Sequence, residues 1–355
     1  MKALLLTDYL NLQMQNLPTP APCQDELLIE VAACGICGSD VHGYDGSTGR
    51  RIPPIVMGHE AAGIVAAVGE GVTGFSPGDR VTFDSTVYCG VCEFCRAGDV
   101  NLCNDRQVIG VSCGEYRREG AFAQFLTVPA RVAYHLPENL SFAEAAMLEA
   151  VSVALHGVAV SRLSGGETIL VIGAGMIGLL LLQAARSSGS HAGRVFVSDV
   201  DATRLKLAAE LGANQTFLAS GADLTAEILR ETNGRGVDVV LEAVGRDETI
   251  STAIDCVRKG GTVTLVGNIT PQVTLPLQKV VSRQIRLQGS CASAGEYPEA
   301  MRLITDGTIN VARLITAVAP LSEGPSWFAR LHAREPNLMK VVLDPRKESE
   351  SEVTI

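Results

Sequence analysis

The stretch from Cys34 to Gly63 gathers Cys37, Ser39, Asp40, His42, His59 and Glu60. It offers a thiolate, a small hydroxyl, two carboxylates and two imidazoles close together in sequence. Such groups hold a borderline-soft cation such as zinc while leaving a coordination position for a substrate oxygen. Cys34-Gly35-Ile36-Cys37 also reads as a C-x-x-C redox pair, but that reading needs a βαβ setting, and the surrounding sequence is β-rich. Cys34 is therefore expected as a small buried residue. Cys37 is different, because His59 and Glu60 follow it and Glu149 arrives where two domains should meet.

A second cluster, Cys89, Cys92, Cys95 and Cys103, has the spacing C-x2-C-x2-C-x7-C. Four thiolates this close can complete a tetrahedron around Zn²⁺ with no vacant position, which makes a structural site. Iron–sulfur centres also use four cysteines. The loop setting, the lack of a second cysteine cluster and the lack of a Cys-Pro ending favour zinc.

Gly173-Ala174-Gly175-Met176-Ile177-Gly178 fits G-x-G-x-x-G, follows an apolar strand pattern and opens a helical one. Gly173 would permit the tight turn, Gly175 the approach of a pyrophosphate, and Gly178 close packing of helix on strand, with the phosphates at the helix N-terminus. Asp199 ends the next strand pattern, where a carboxylate accepts ribose hydroxyls and repels a 2′-phosphate. The pattern therefore predicts NAD rather than NADP, with Arg204 nearby as the contrary signal.

The elements that must position these residues differ along the chain. Up to about Glu149, short β-type runs such as 27–31 and 63–68 alternate with Gly and Pro turns, the texture of an irregular, mostly antiparallel β domain. From Thr168 onward, strand patterns at 168–172, 195–199, 215–218, 237–242, 262–266 and 285–288 alternate with helical ones, including 179–187 and 202–211 closed by Gly212. Six such strands predict a doubly wound parallel sheet. Beyond about Ser290 come helices near 296–306 and Trp327 and a strand at 340–343. This tail is expected to return to the first domain. The expected division is 1–150 with 290–355, carrying the cysteine lobe at about 86–106, and 151–289. Residues 347–355 are expected to fray.

A chain of 355 residues suits two domains, and 46% apolar against 19% charged residues indicates a compact protein. A net charge of −10 without a basic stripe argues against a nucleic-acid partner. The first apolar run is too short for a signal peptide, and no uninterrupted apolar stretch matches a membrane span, so a cytoplasmic protein is expected.

Across nearly its full length the chain resembles the zinc-dependent medium-chain dehydrogenase/reductase family. The resemblance rests on Cys37-Gly38-Ser39-Asp40-Val41-His42, Gly58-His59-Glu60, the four-cysteine lobe, Met147-Leu148-Glu149, and the Gly173 to Gly178 loop with Asp199. It implies a GroES-like catalytic domain, a Rossmann coenzyme domain, two zinc ions per chain, NAD, and dimers or tetramers. Ligands to the catalytic zinc would be Cys37, His59 and either Glu60 or Glu149, and sequence leaves that choice open. Zinc would lower the pKa of a bound alcohol, whose carbon then passes a hydride to the nicotinamide. Ser39 would take the hydroxyl proton and pass it towards the cofactor ribose and His42, with Asp40 bracing the loop.

Glutamate at 149 resembles the sorbitol, other polyol, sugar-alcohol-phosphate and threonine dehydrogenases. Ala150 and Gly43 depart from the proline and aromatic residue that polyol-type and sorbitol relatives tend to have, which disfavours sorbitol itself and leaves a polyol or sugar-derived secondary alcohol as the expectation. L-Threonine or another amino alcohol is the nearest alternative. A catalytically silent sensor or scaffold is the alternative of another class. Lys340 reads either as facing the cofactor phosphates or as a solvated lysine, and Glu242 either as a cofactor contact or as a loop brace. His135, His156, His191 and His332 are expected to be structural.

Overall fold

The computed structural model describes residues 1–112, 116–187, 193–219 and 223–347. His191 and the expected frayed stretch from 348 onward lie outside the described residues. The chain forms two units, Met1–Glu149 with Tyr297–Thr305 and Val311–Ile355, and Ala150–Glu296 with Asp306–Asn310.

The first unit is built on a seven-stranded sheet. Along it lie Ala133–His135, Arg80–Phe83, Glu60–Val68, Glu26–Gly35, Lys340–Asp344 and Ile315–Pro320, and Phe125–Pro129 also pairs with Glu26–Gly35. Pairing is antiparallel except between the last two strands on the path, which run parallel. The strand Glu26–Gly35 is central because alternating apolar residues Leu27, Ile29 and Val31 are fully buried in one large core. That core also takes Cys34, as expected, with Phe83, Phe122 and Phe328. Register matters for the site: Gly35 faces Glu60 on one neighbour and Val342 on the other. The final strand therefore closes beside the residues that lead into Cys37.

Thr86–Val87 pairs with Gln107–Val108 and supports the cysteine lobe, whose short helix Glu93–Ala97 begins directly after Cys92. Phe142–Val160 is apolar enough, by length and composition, to cross a membrane. It carries Glu144 and Glu149, and Ala145 through Leu148 are buried in the protein, so it is a core segment.

The second unit is a six-stranded, wholly parallel sheet. Its strands, numbered in chain order within the sheet, lie 3-2-1-4-5-6: Gln215–Leu218, Arg194–Asp199, Thr168–Ile172, Val237–Glu242, Val257–Leu265 and Arg286–Gly289. This is the Rossmann order, in which ligands meet the carboxyl ends of the strands where the order reverses. The fifth strand starts at Val257, earlier than its apolar pattern suggests, because Val257 pairs with Val237 before the register shifts. Leu170, Phe196, Val240 and Val263 fill one side of the sheet's core with Ile250 and Ile254 from the helix Asp247–Cys256.

Asp238 ties the amino ends of these strands together. Its carboxylate accepts from Thr168 N at 3.0 Å, Arg235 Nη2 at 2.6 Å and Arg258 Nε at 2.7 Å. Burial pushes this carboxyl's pKa up, but the two guanidinium groups outweigh it and hold it below the ordinary value. Its folded-state pKa is lower than its unfolded one, so its contribution is complete above the unfolded value near about 4 and fades as pH falls towards the lowered value. Asp238→Ala should therefore cost about 1–3 kcal/mol in urea unfolding at neutral pH, with the difference from the parent shrinking below about pH 4. A pH-independent difference would contradict this account.

Candidate functional site

In the first unit, Cys37 lies two residues beyond the central strand Glu26–Gly35 and caps the N-terminus of the helix Gly38–Tyr44. Its backbone N–H donates to Asp40 Oδ2 at 3.2 Å, which turns the chain sharply and leaves the thiol beside His59 and Glu60. One ligand atom from each of Cys37, His59 and Glu60 lies within 4.8 Å of the other two, and all three residues are buried or half-buried. A thiol, an imidazole and a carboxylate at this separation suit a tetrahedral zinc with one further position.

The imidazole is oriented by a buried carboxylate. His59 Nδ1 lies 3.3 Å from Asp40 Oδ1, in ion-pair reach though outside hydrogen-bond geometry, so the ring turns Nδ1 towards the carboxylate and its other nitrogen, Nε2, is the one that could face a metal. Arg51, also buried, donates through Nη2 to Asp40 Oδ1 at 3.0 Å and to Ser39 Oγ at 3.1 Å. Burial alone would raise the Asp40 pKa, yet His59 and Arg51 hold it down at about 2. Burial lowers the His59 pKa, but Asp40 and Cys37 more than reverse this and raise it well above the ordinary value. A cation that binds the His59 imidazole would therefore displace a proton from it.

Glu60 is buried and its carboxylate accepts from the Lys340 ammonium. Of the two readings of Lys340, the solvated lysine is corrected, since the residue is 2% exposed, and in place of a cofactor phosphate the register of the last strand delivers its ammonium to Glu60 inside the first unit. Gly35 makes this possible, since a Cβ there would run into the Glu60 carboxylate and lie 3.4 Å from Lys340 Cδ. Glu149, also in this unit, is raised to about 7 by burial, and Glu60 and Asp40 add to the rise while His59 and Lys340 oppose it. Glu149 thus shares the field of the trio but does not join its ligand cluster among the described residues.

The expected relay residues each have a partner nearby. Ser39 and His42 lie one turn apart on Gly38–Tyr44, but Ser39 is held by Arg51 and His42 Nδ1 is 3.5 Å from Ser47 Oγ. Neither Arg51 nor the Lys340–Glu60 pair was legible locally, because their contacts span 12 and 280 residues. The Arg50-Arg51 pair before Ile52-Pro53 was the sole signal. His135, His156 and His332 sit against Gly74 O, Glu296 and Asp45, in structural settings.

In the cysteine lobe, the Sγ atoms of Cys89, Cys92, Cys95 and Cys103 lie within 4.8 Å of one another and none forms a disulfide. Cys95 Sγ is 3.9 Å from Cys89 Sγ and 3.5 Å from Cys92 Sγ, against edges of about 3.8 Å for a tetrahedron with Zn–S bonds of about 2.3 Å. Backbone N–H groups of Val91, Cys92 and Asp105 point at the sulfurs. The N–H groups of Cys95 and Asn104 pull the Cys92 thiol down to about 6, while burial pushes Cys95 up to about 12. Full ionisation of so crowded a set needs a cation, and the donor set fits zinc.

In the second unit, the glycine loop joins Thr168–Ile172 to the helix Met176–Ser187, and its three glycines behave differently. Gly173 has φ +96°, where other residues are strained. A Cβ on Gly178 would run into the Gly173 carbonyl oxygen, so this glycine lets the helix pack down on the turn. Gly175 faces open space, and Met176 and Ile177 form the first turn of the helix, whose N–H groups are free for an anion. Asp199 Oδ2 accepts from Ala174 N at 2.6 Å and Oδ1 from Asp201 N at 2.9 Å. Arg204 pairs at 3.7 Å with Asp201. Glu242 is fully buried and accepts from Val244 N and Gly245 N, both at 2.9 Å, which is the loop-bracing alternative.

Comparison with known proteins agrees with this geometry. Residues 23–138 match the alcohol dehydrogenase GroES-like domain, and residues 177–306 match the zinc-binding dehydrogenase domain. A sorbitol dehydrogenase from Bacillus subtilis is 34% identical over 352 residues, covering 98% of each chain. The chain belongs to the zinc-dependent medium-chain dehydrogenase/reductase family. Among solved members of this family, a zinc-binding dehydrogenase from Sinorhizobium meliloti bound to NADP has a TM-score of 0.88 at 34% identity, covering 97% of this chain and 99% of the other. An alcohol dehydrogenase from Escherichia coli CFT073 complexed with NADH has a TM-score of 0.89 at 28% identity, with coverage of 97% and 99%. As a family member the chain is an oxidoreductase with a GroES-like unit and a Rossmann unit.

The glycine geometry gives a paired test in this family member. Gly178→Ala should lower the thermal midpoint and abolish dinucleotide binding together, because the helix must lift from the turn. Gly175→Ala should fold with an unchanged midpoint and weaken NAD⁺ or NADP⁺ binding about tenfold or more, as read by calorimetry. A Gly175→Ala protein with parental affinity would contradict the assignment of that open space.

Proposed function

We propose that the protein is a zinc- and NAD-dependent dehydrogenase that oxidises the secondary alcohol of a polyol, sugar acid or sugar alcohol phosphate. The observation that carries this reading is the Cys37, His59 and Glu60 trio, gathered within 4.8 Å and oriented through Asp40. When bound there, zinc acts as a Lewis acid on a substrate oxygen. Cys37 and His59 hold it, and Glu60 and Glu149 compete for the third protein position. Lys340 biases that competition, because its ammonium holds the Glu60 carboxylate back.

Ser39 receives the substrate hydroxyl proton as its own leaves, and His42 on the same helix passes it outward. The role of Ser39 is supported by its half-buried place one turn from His42, and by Arg51, which occupies one lone pair and leaves the other free. Met176 and Ile177 present helix N–H groups to the cofactor pyrophosphate, and Asp199 receives the ribose hydroxyls in place of its Ala174 and Asp201 N–H bonds. Its charge favours NAD, and Arg204 is occupied by Asp201. The four-cysteine lobe holds the second, structural zinc. Self-association through the second unit is supported by Leu277 and Val281, 66% and 71% exposed on the helix Leu277–Ser282.

A panel of polyols, sugar acids, sugar alcohol phosphates and L-threonine with NAD⁺, followed by nicotinamide absorbance, tests the reaction. Turnover of at least one hydroxylated sugar derivative is expected, with loss on metal removal and recovery on adding Zn²⁺. Metal analysis should find about two zinc per chain, and about one in Cys37→Ser. Preference for threonine would move the substrate class, and no NAD⁺ reduction with any secondary alcohol would refute the proposal.

A further inference from the structure

We infer that Arg51 is a positioning residue that sets both the metal-facing imidazole and the proton-accepting hydroxyl, and that Gly43 is the notch that seats it. The inference rests on the reaction proposed above and adds a residue to it. One guanidinium nitrogen, Nη2, donates at once to Asp40 Oδ1 at 3.0 Å and to Ser39 Oγ at 3.1 Å. Through the first bond it fixes the oxygen that stands 3.3 Å from His59 Nδ1. Through the second it takes one lone pair of the hydroxyl, so that the remaining lone pair and the hydroxyl proton have set directions. An arginine needed only to neutralise Asp40 would not have to reach Ser39.

The seating is equally specific. A Cβ on Gly43 would stand 2.6 Å from Arg51 Cγ and 2.9 Å from its Cβ, in the middle of the stem and not at its flexible end. Gly43 lies inside the helix Gly38–Tyr44, where alanine would be the better helix former. Arg51 Nε is buried with no hydrogen-bond partner among the described residues, so the guanidinium is held by Nη2 and by this notch. A push on the stem therefore moves both bonds together.

Three variants test this: Arg51→Gln, Arg51→Lys and Gly43→Ala. Each is measured for kcat, for KM of NAD⁺, for the solvent deuterium isotope effect on kcat, and for retention of the catalytic zinc against a chelator. Arg51→Gln should lower kcat and zinc retention each by about 10- to 100-fold, the usual effect of losing a group that orients a metal ligand. KM for NAD⁺ should stay within about twofold, since the cofactor loop lies in the second unit. Gly43→Ala keeps every side chain of the site and should shift kcat and zinc retention in the same direction, with a modest drop in thermal midpoint because the added Cβ crowds the buried Arg51 stem.

Lysine keeps the charge near Asp40 but loses the planar fork, so Arg51→Lys should recover zinc retention while kcat stays low and the solvent isotope effect rises. If Arg51→Gln does not fold, the other two variants decide. Parental kcat and zinc retention in Gly43→Ala would overturn the inference, and parental kcat in Arg51→Lys would overturn its Ser39 branch. If the parent protein reduces no NAD⁺, the proposed reaction fails, while zinc retention still reads the Asp40 branch.

Discussion

A carboxylate shielded from water survives as an anion only where donors surround it, and Asp40 is fully buried. Its two oxygens are shared among the Cys37 N–H, the Arg51 guanidinium and the His59 ring. Each contact does a separate job: the first folds the chain so that the thiol points inward, the second brings a cation to Ser39, and the third sets which imidazole nitrogen is left for a metal. Removing the Arg51 guanidinium would break a buried ion pair, which costs several kcal/mol, on the order of 3–5. The metal trio is therefore rigid before any metal arrives, and this is what a site of fixed geometry requires.

Around that anchor the charges come in compensated sets. Arg51 answers Asp40, Lys340 answers Glu60, and Glu149 stands among them raised to about 7 by its burial. Because Glu60 has a lysine and Glu149 has none among the described contacts, the two glutamates are not equivalent, although the sequence treats them alike. In the cysteine lobe, four sulfurs crowd together, and among the described residues the groups pointing at them are backbone N–H groups. One site is organised around protein charges, and the other is organised for an ion.

The legible parts of this architecture were those written in short periods. Strands such as Val237–Glu242 and Gln215–Leu218 are short, mainly apolar or β-branched stretches between turn residues, and the structure starts and ends them where those stretches do. The G-x-G-x-x-G loop and the cysteine spacing are local in the same sense, and so is the burial of Cys34. What sequence could not give was set by register between distant strands. Lys340 reads as a charged residue before a strand, and its burial depends on where Lys340–Asp344 meets Glu26–Gly35. Arg51 follows another arginine in a Pro-rich turn, where a solvated side chain is the ordinary expectation, and its burial depends on an absent side chain at Gly43. The apolar segment Phe142–Val160 is long and apolar enough to pass a membrane-span test, yet Glu144 and Glu149 interrupt it in the sequence and packing buries Ala145 through Leu148 as core.

The pairing of Glu60 with Lys340 has a consequence for how the protein comes into being. The two residues are 280 positions apart, with the whole second unit encoded between them. While the chain is being synthesised, Glu60 waits for its ammonium until almost the last strand has emerged, and the central sheet keeps an open edge beside Gly35 for just as long. A ribosome-bound fragment thus holds the cysteine, histidine and glutamate but not the lysine that balances them. The Glu60 side of the site is balanced only once Lys340 has emerged, so a fragment that stops before Lys340 holds Glu60 without its ammonium and must protonate or hydrate it instead.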